Sequence, residues 1–177
     1  LNTFRFFENL AIPYAYAFTI SASEKDEKET KMNQGTWVRT QQEYQQVFDF
    51  LTDKLLRKEE VFNMDFKQKL SILNQKTIRT HGCEAGRASF LVDELGRYFA
   101  CQNMLPYQAC IGELENGIVS SIRDRYKSQF VSELKDCQQC WARYLCGGGC
   151  QTERIFNASS QSMYCDISSF EWEQILL

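Results

Sequence analysis

The chain has 177 residues, enough for one domain or for a small domain with part of another. Its 44% hydrophobic and 14% aromatic content belong to a globular protein with a core, and a net charge of −3 gives no support for nucleic-acid binding. No stretch approaches the roughly 18 to 20 apolar residues of a membrane span, and no signal peptide is visible. The chain opens Leu1-Asn2-Thr3-Phe4 without a methionine and is expected to be a piece of a longer protein.

Phe4, Phe7 and Leu10 mark the tail of an amphipathic helix over residues 3–10, which Pro13 breaks. Tyr14 to Ile20 is an apolar and aromatic run that reads as a buried strand. A polar loop is predicted to about Thr36, and its alternating charges from Glu24 to Glu29 read as a solvated loop rather than an acidic docking site. Thr40-Gln41-Gln42-Glu43 has the form of a capping box, followed at helical spacing by Tyr44, Val47, Phe48, Leu51 and Leu55. A second helix is predicted from Glu59 to Asn74, with Phe62, Phe66, Leu70 and Leu73 on one face.

The character changes near Cys83. Phe90 to Ala100 reads as a β-hairpin turning at Gly96; Cys83 precedes its first strand and Cys101 ends its second, so the two converge at one end. Ile111-Gly112-Glu113-Leu114 is a short predicted strand. A helix is expected from about Ser121 to Lys135, with Ile122, Tyr126, Phe130 and Leu134 inward. The run Cys137-x2-Cys140-x5-Cys146-Gly-Gly-Gly-Cys150 comes next, then a loop, Cys165, and a closing helix carrying Ile167, Phe170 and Ile175.

Eight cysteines dominate the chemistry: Cys83, Cys101, Cys110, Cys137, Cys140, Cys146, Cys150 and Cys165. Disulfides are the weaker reading. The chain is rich in core-forming residues, and its closely spaced pairs would close very small loops that remove little unfolded-state entropy. A reducing compartment, the cytoplasm, is expected instead. Thiolates are soft ligands that select zinc, copper(I) or iron–sulfur clusters. Zinc sites usually pair two Cys-x2-Cys knuckles, and only one occurs here; iron–sulfur sites tolerate more varied spacing. Gly147-Gly148-Gly149 allows close backbone approach, with amide hydrogens directed at sulfur, or else forms a flexible turn. The residues alone favour iron–sulfur and leave zinc open.

Written out, the pattern is Cys83-x12-Gly96-x4-Cys101, a gap, Cys137-x2-Cys140-x5-Cys146-x3-Cys150, a second gap, and Cys165. It resembles the seven-cysteine signature of SPASM domains, the C-terminal extensions of radical SAM enzymes that mature peptides and proteins. Phe90-Leu91-Val92-Asp93, Ile111-Gly112, Arg143 and the glycine triplet add to the likeness, which spans residues 80–170. The resemblance implies two auxiliary [4Fe–4S] clusters with interleaved ligands. Cys83, Cys101 and Cys150 would hold auxiliary cluster I, and Cys137, Cys140, Cys146 and Cys165 auxiliary cluster II.

No cysteine lies in Glu84 to Ser89, where some members place a fourth ligand to cluster I. An open iron able to bind a substrate thiolate is therefore implied, with Cys110 as the rival fourth ligand and His81 a weaker candidate than a packing residue. Tyr98, Trp141 and Arg143 are candidates for the surroundings of the clusters, beside ordinary packing roles.

Upstream, Tyr14 to Ile20 and the Thr40 helix are similar to the end of a partial radical SAM barrel. The implied fold class is α+β: a small cysteine-rich domain with a β-hairpin and helices around two clusters, preceded by a strand–helix remnant of a (β/α) barrel. The implied divisions are 1–57 for the barrel end, 58–82 for a linker helix, 83–165 for the SPASM domain and 166–177 for a C-terminal helix.

The implied function is the C-terminal part of a peptide- or protein-modifying radical SAM enzyme, forming for example thioether or carbon cross-links. The parent enzyme would use S-adenosylmethionine and a third [4Fe–4S] cluster. The Cys-x3-Cys-x2-Cys motif that binds them is not in these residues, so the chain alone is expected to be inactive and holds no S-adenosylmethionine ligand. Catalytic residues are not identified. A peptide or protein substrate and an electron donor such as flavodoxin or ferredoxin are the implied partners, without nucleic acid or membrane. The alternative is a non-catalytic iron–sulfur or zinc module for electron transfer or protein interaction.

Overall fold

The structure is a computed structural model and describes residues 1–16, 34–156 and 158–177. It is α+β, with helices α1 (Asn2–Asn9), α2 (Gln34–Leu56), α3 (Met64–Asn74), α4 (Ser120–Lys127), α5 (Lys135–Gln138), α6 (Arg143–Cys146), α7 (Gln151–Phe156) and α8 (Ala158–Leu176). Strands β1 (Leu91–Val92), β2 (Arg97–Phe99), β3 (Cys110–Glu113) and β4 (Gly117–Ile118) form one antiparallel sheet in the order β1-β2-β3-β4. The chain divides into two compact units, Leu1–Thr77 with Phe170–Leu177, and Ile78–Ser169. No helix among the described residues is long and apolar enough to cross a membrane.

In the first unit Val47, Phe48 and Leu51 of α2 pack with Val61 and Phe66, and Phe4, Tyr44, Leu70, Phe170 and Ile175 close around them. The helical spacing on α2 is therefore the core face, although Leu55, its last member, is 39% exposed. Its start differs from expectation: α2 already runs through Thr40, and Glu43 pairs with Arg39 at 3.3 Å. Trp37 packs edge-on against Phe170, a tertiary contact that favours helix before the capping-box position.

The second helix is also shorter at its start. Glu8, buried in α1, accepts the backbone N–H groups of Phe62 and Asn63 and pairs with Lys54 Nζ at 2.7 Å. Those amides are held outside a helix, and Asn63 then caps α3 by accepting from Phe66 N at 2.8 Å. Tyr14 makes a single parallel bridge to Asn63, while Ala17 to Ile20 of the expected strand, and the polar loop through residue 33, lie outside the described residues.

The second unit is built on the sheet. Leu91 pairs with Phe99 and Val92 with Tyr98, so the expected hairpin forms. Asp93 fixes its turn, accepting from the backbone N–H groups of Leu95 and Arg97 and from Arg97 Nε at 2.7 Å. The expected strand at Ile111 is β3, which adds to β2 with a register shift between Tyr98 and Phe99. Phe99, Ala100, Met104, Ile111 and Tyr126 form the buried cluster behind the sheet, and Cys101 and Cys110 pack at its margin.

The helix expected over residues 121–135 ends at Lys127. Ser128 closes it by bonding Asp124 O through both its N–H and its hydroxyl, and Val131 N is diverted to Thr80 O at 2.9 Å. Phe130 and Leu134 thus lie beyond the helix. The loop expected before Cys165 instead contains α7, and Cys165 lies within α8 rather than ahead of it.

Candidate metal centre

All eight cysteines are free thiols. Five of them line one cavity, four on helices or just past one and the fifth, Cys150, after the glycine turn. Cys137 lies on α5, and the N–H of Cys140 turns back to Cys137 O at 3.0 Å just past that helix. Cys146 ends α6, where Gly147 takes the left-handed C-cap with φ 76°. Cys165 comes from α8, whose helical repeat puts Cys165, Ser168 and Ser169 on one side. These four thiols, with Arg143, Tyr164, Arg154 and Cys150, line a cavity of about 90 Å³.

A second set meets by a different route. The segment Arg79–Gly82 is strapped down: Arg79 N donates to Tyr144 O at 2.8 Å, and the Arg79 guanidinium reaches Leu145 O and Gly82 O. Gly147, Gly148 and Gly149 all have positive φ, 76°, 98° and 74°. Their turn lies backbone against backbone on that strap. A Cβ on Gly147 would overlap His81 O, and one on Gly82 would overlap Gly149 O. This close approach is what carries Cys83, next after Gly82, to Cys150, next after Gly149. Cys101 joins from the end of β2, its thiol 3.3 Å from the Thr152 hydroxyl on α7.

Electrostatics separate the same two sets. The protein around its sulfur pushes the Cys83 thiol up; the N–H groups of Ala85 and Gln151 oppose this, and Cys150 and Cys101 add to it. Burial pushes Cys137 up, against the Arg154 charge, and Cys146 and Cys140 raise it further. Cys165 is raised by burial and then by Cys146 and Cys137, again opposed by Arg154. Within each group, a thiolate disfavours the ionisation of its neighbours. Cys150 belongs with Cys83 in this respect, yet it also borders the four-thiol cavity.

The described side chains are not gathered tightly around a single ion. A tetrahedral zinc site, with Zn–S about 2.3 Å, needs its sulfurs within about 4 Å of one another. Among the described residues no three His, Cys, Asp or Glu side chains stand close enough to hold one ion.

The remaining expected residues lie elsewhere. Cys110 sits on β3 opposite Phe99, donates its S–H to Gly112 O at 2.8 Å, and lies near Arg97. His81 packs at a tilt against Phe130, with ring centroids 4.4 Å apart, and its Nδ1 meets the Thr80 hydroxyl. Arg143 lines the four-thiol cavity, bonds Gln138 O, and lies over the Tyr144 ring. Tyr98 packs on the sheet core and Trp141 is 52% exposed; neither lines the cavity.

Sequence reasoning did not single out Thr152, Glu153, Arg154, Tyr107 or Tyr164. The last two phenols are pushed up by burial, then by the charges of Glu153 and Cys150. A helix reading of 151–156 would have found Arg154, whose N–H bonds Cys150 O one turn back. No family model matches this chain, and no curated protein matches it.

Proposed function

We propose that this chain is the C-terminal part of a radical SAM enzyme of the SPASM type, one that modifies a peptide or protein and holds two auxiliary [4Fe–4S] clusters. The observation that supports the reading is that Cys137, Cys140, Cys146 and Cys165 act on one another's charge while Cys83 is acted on by Cys150 and Cys101, although Cys150 also lines the cavity of the first four. That division matches the interleaved ligand sets implied by the sequence signature, in which Cys146 and Cys150, neighbours along the chain, serve different clusters.

Cys137, Cys140, Cys146 and Cys165 would hold cluster II through four thiolates, and Cys83, Cys101 and Cys150 would hold cluster I through three. When bound, such clusters supply one-electron transfer, and a three-thiolate cluster supplies an iron open to a substrate thiolate. The chain's own residues build the two seats. The glycine turn fixes Cys150 beside Cys83, the Thr152 hydroxyl orients the Cys101 thiol, and the N–H groups of Ala85 and Gln151 favour the Cys83 thiolate. Tyr107 and Tyr164 stand near Cys150 with Glu153. Cys110, bonded to Gly112 O, is not among the ligands. S-adenosylmethionine would bind elsewhere in the parent enzyme, with an electron donor such as flavodoxin or ferredoxin as its redox partner.

Anaerobic reconstitution with iron and sulfide tests this. About eight irons per chain, with sulfide and a brown chromophore, are expected. Colourless protein that takes up zinc instead would overturn the reading.

A further inference from the structure

Arg154 brings a positive charge into the wall of the four-thiol cavity. Its side chain is only 12% exposed. Nη2 donates to Gly148 O at 2.8 Å and reaches Cys137 Sγ at 3.5 Å. Nη1 faces Asp136 Oδ2 at 3.6 Å, but that carboxylate is 69% exposed, so water screens most of the attraction. A buried guanidinium stays charged at any ordinary pH and is costly unless something nearby balances it. Here its close partners are one carbonyl, one thiol and this screened carboxylate, and the buried Glu153 also lines the cavity.

Four thiolates around an iron–sulfur core carry net negative charge, which would complete the balance. We infer that Arg154 is the built-in counter-charge of the four-thiol site, a positioning residue that raises the reduction potential of the cluster held there. The inference rests on the cluster reading above. It follows from two levers on potential, net charge and hydrogen bonding to sulfur, both of which Arg154 applies at Cys137. The effect is selective. Arg154 reaches a thiol of the four-thiol set, Cys137, whereas the Thr152 hydroxyl meets Cys101 of the other; Glu153 and Tyr164, near Cys150, line the same cavity as Arg154.

The test is an EPR-monitored redox titration of the reconstituted 177-residue chain and of its Arg154→Gln and Arg154→Lys variants. The signal of the four-thiol cluster is assigned by its loss in Cys165→Ala. Arg154→Gln should keep its iron and lower the reduction equilibrium of that cluster at least tenfold, about 59 mV for one electron. Arg154→Lys should shift it less, and the other cluster should stay put. Unchanged potentials in a loaded Arg154→Gln protein, or equal shifts in both clusters, would overturn the inference. If Arg154→Gln loses iron, retention by Arg154→Lys supports the charge role, and loss in both variants refutes it. Failure of the wild-type chain to take up iron is a separate result, against the cluster reading itself.

Discussion

The two thiol sets are built by different means. Cys137, Cys146 and Cys165 come from helices, Cys140 from just past one, and they surround a cavity with a buried guanidinium in its wall. Cys83, Cys101 and Cys150 come from the ends of loops and a strand, and meet where the glycine turn presses on the Arg79–Gly82 strap. The first set depends on helix geometry and on charge. The second depends on backbone contact that leaves no room for a side chain. Cys146 and Cys150, only three glycines apart, both line the cavity, but Cys146 acts on Cys137 and Cys165 while Cys150 acts on Cys83.

The contrast is broken most sharply at Gly82. Its substitution by alanine introduces a Cβ that overlaps Gly149 O, and overpacking of this kind costs about 1–3 kcal/mol. Gly82→Ala should lower the melting temperature and separate Cys83 from Cys150. Iron should fall from about eight to about four per chain, with the four-thiol cluster retained. Equal loss from both clusters would show that the sets are not independent.

A weaker effect is expected from pH on the metal-free chain. Cys83, Cys137 and Cys165 have folded values raised above the ordinary 9.0, so the folded state holds protons that the unfolded chain releases. Their contribution to stability is complete below the ordinary thiol range and is lost as pH rises through the raised folded values. Denaturant melts across that range should show stability falling on the alkaline side, and cluster loading should remove the trend.

The smallest effect belongs to Cys110. Cys110→Ala removes one S–H bond to Gly112 O, a loss of order 1 kcal/mol or less, and should leave the iron content and both EPR signals as they are. A loss of iron there would add Cys110 to the three-thiol set.

Much of this contrast was legible in the sequence. The Gly-containing turn within Phe90 to Ala100 gave the hairpin, whereas the division of the cysteines into two sets was implied by the family resemblance and not by their spacing. Helix ends were less legible, because their amides are claimed from a distance. The Glu8 carboxylate takes the N–H groups of Phe62 and Asn63, and Thr80 O takes that of Val131. The glycine triplet announced a close approach without saying to what; its partner, the His81–Gly82 backbone, is more than 60 residues away in the chain. Arg154 was hidden for a simpler reason. Its contacts with Gly148 O and Cys137 exist only once α7 follows directly on Cys150.

The most direct test of the two-set account compares Cys146→Ala with Cys150→Ala in the reconstituted chain. EPR spectra and iron content would be read beside those of Cys165→Ala and Cys83→Ala. The account predicts that Cys146→Ala abolishes the same signal as Cys165→Ala, and that Cys150→Ala perturbs the other signal, as Cys83→Ala does. Loss of one and the same signal in Cys146→Ala and Cys150→Ala would contradict it.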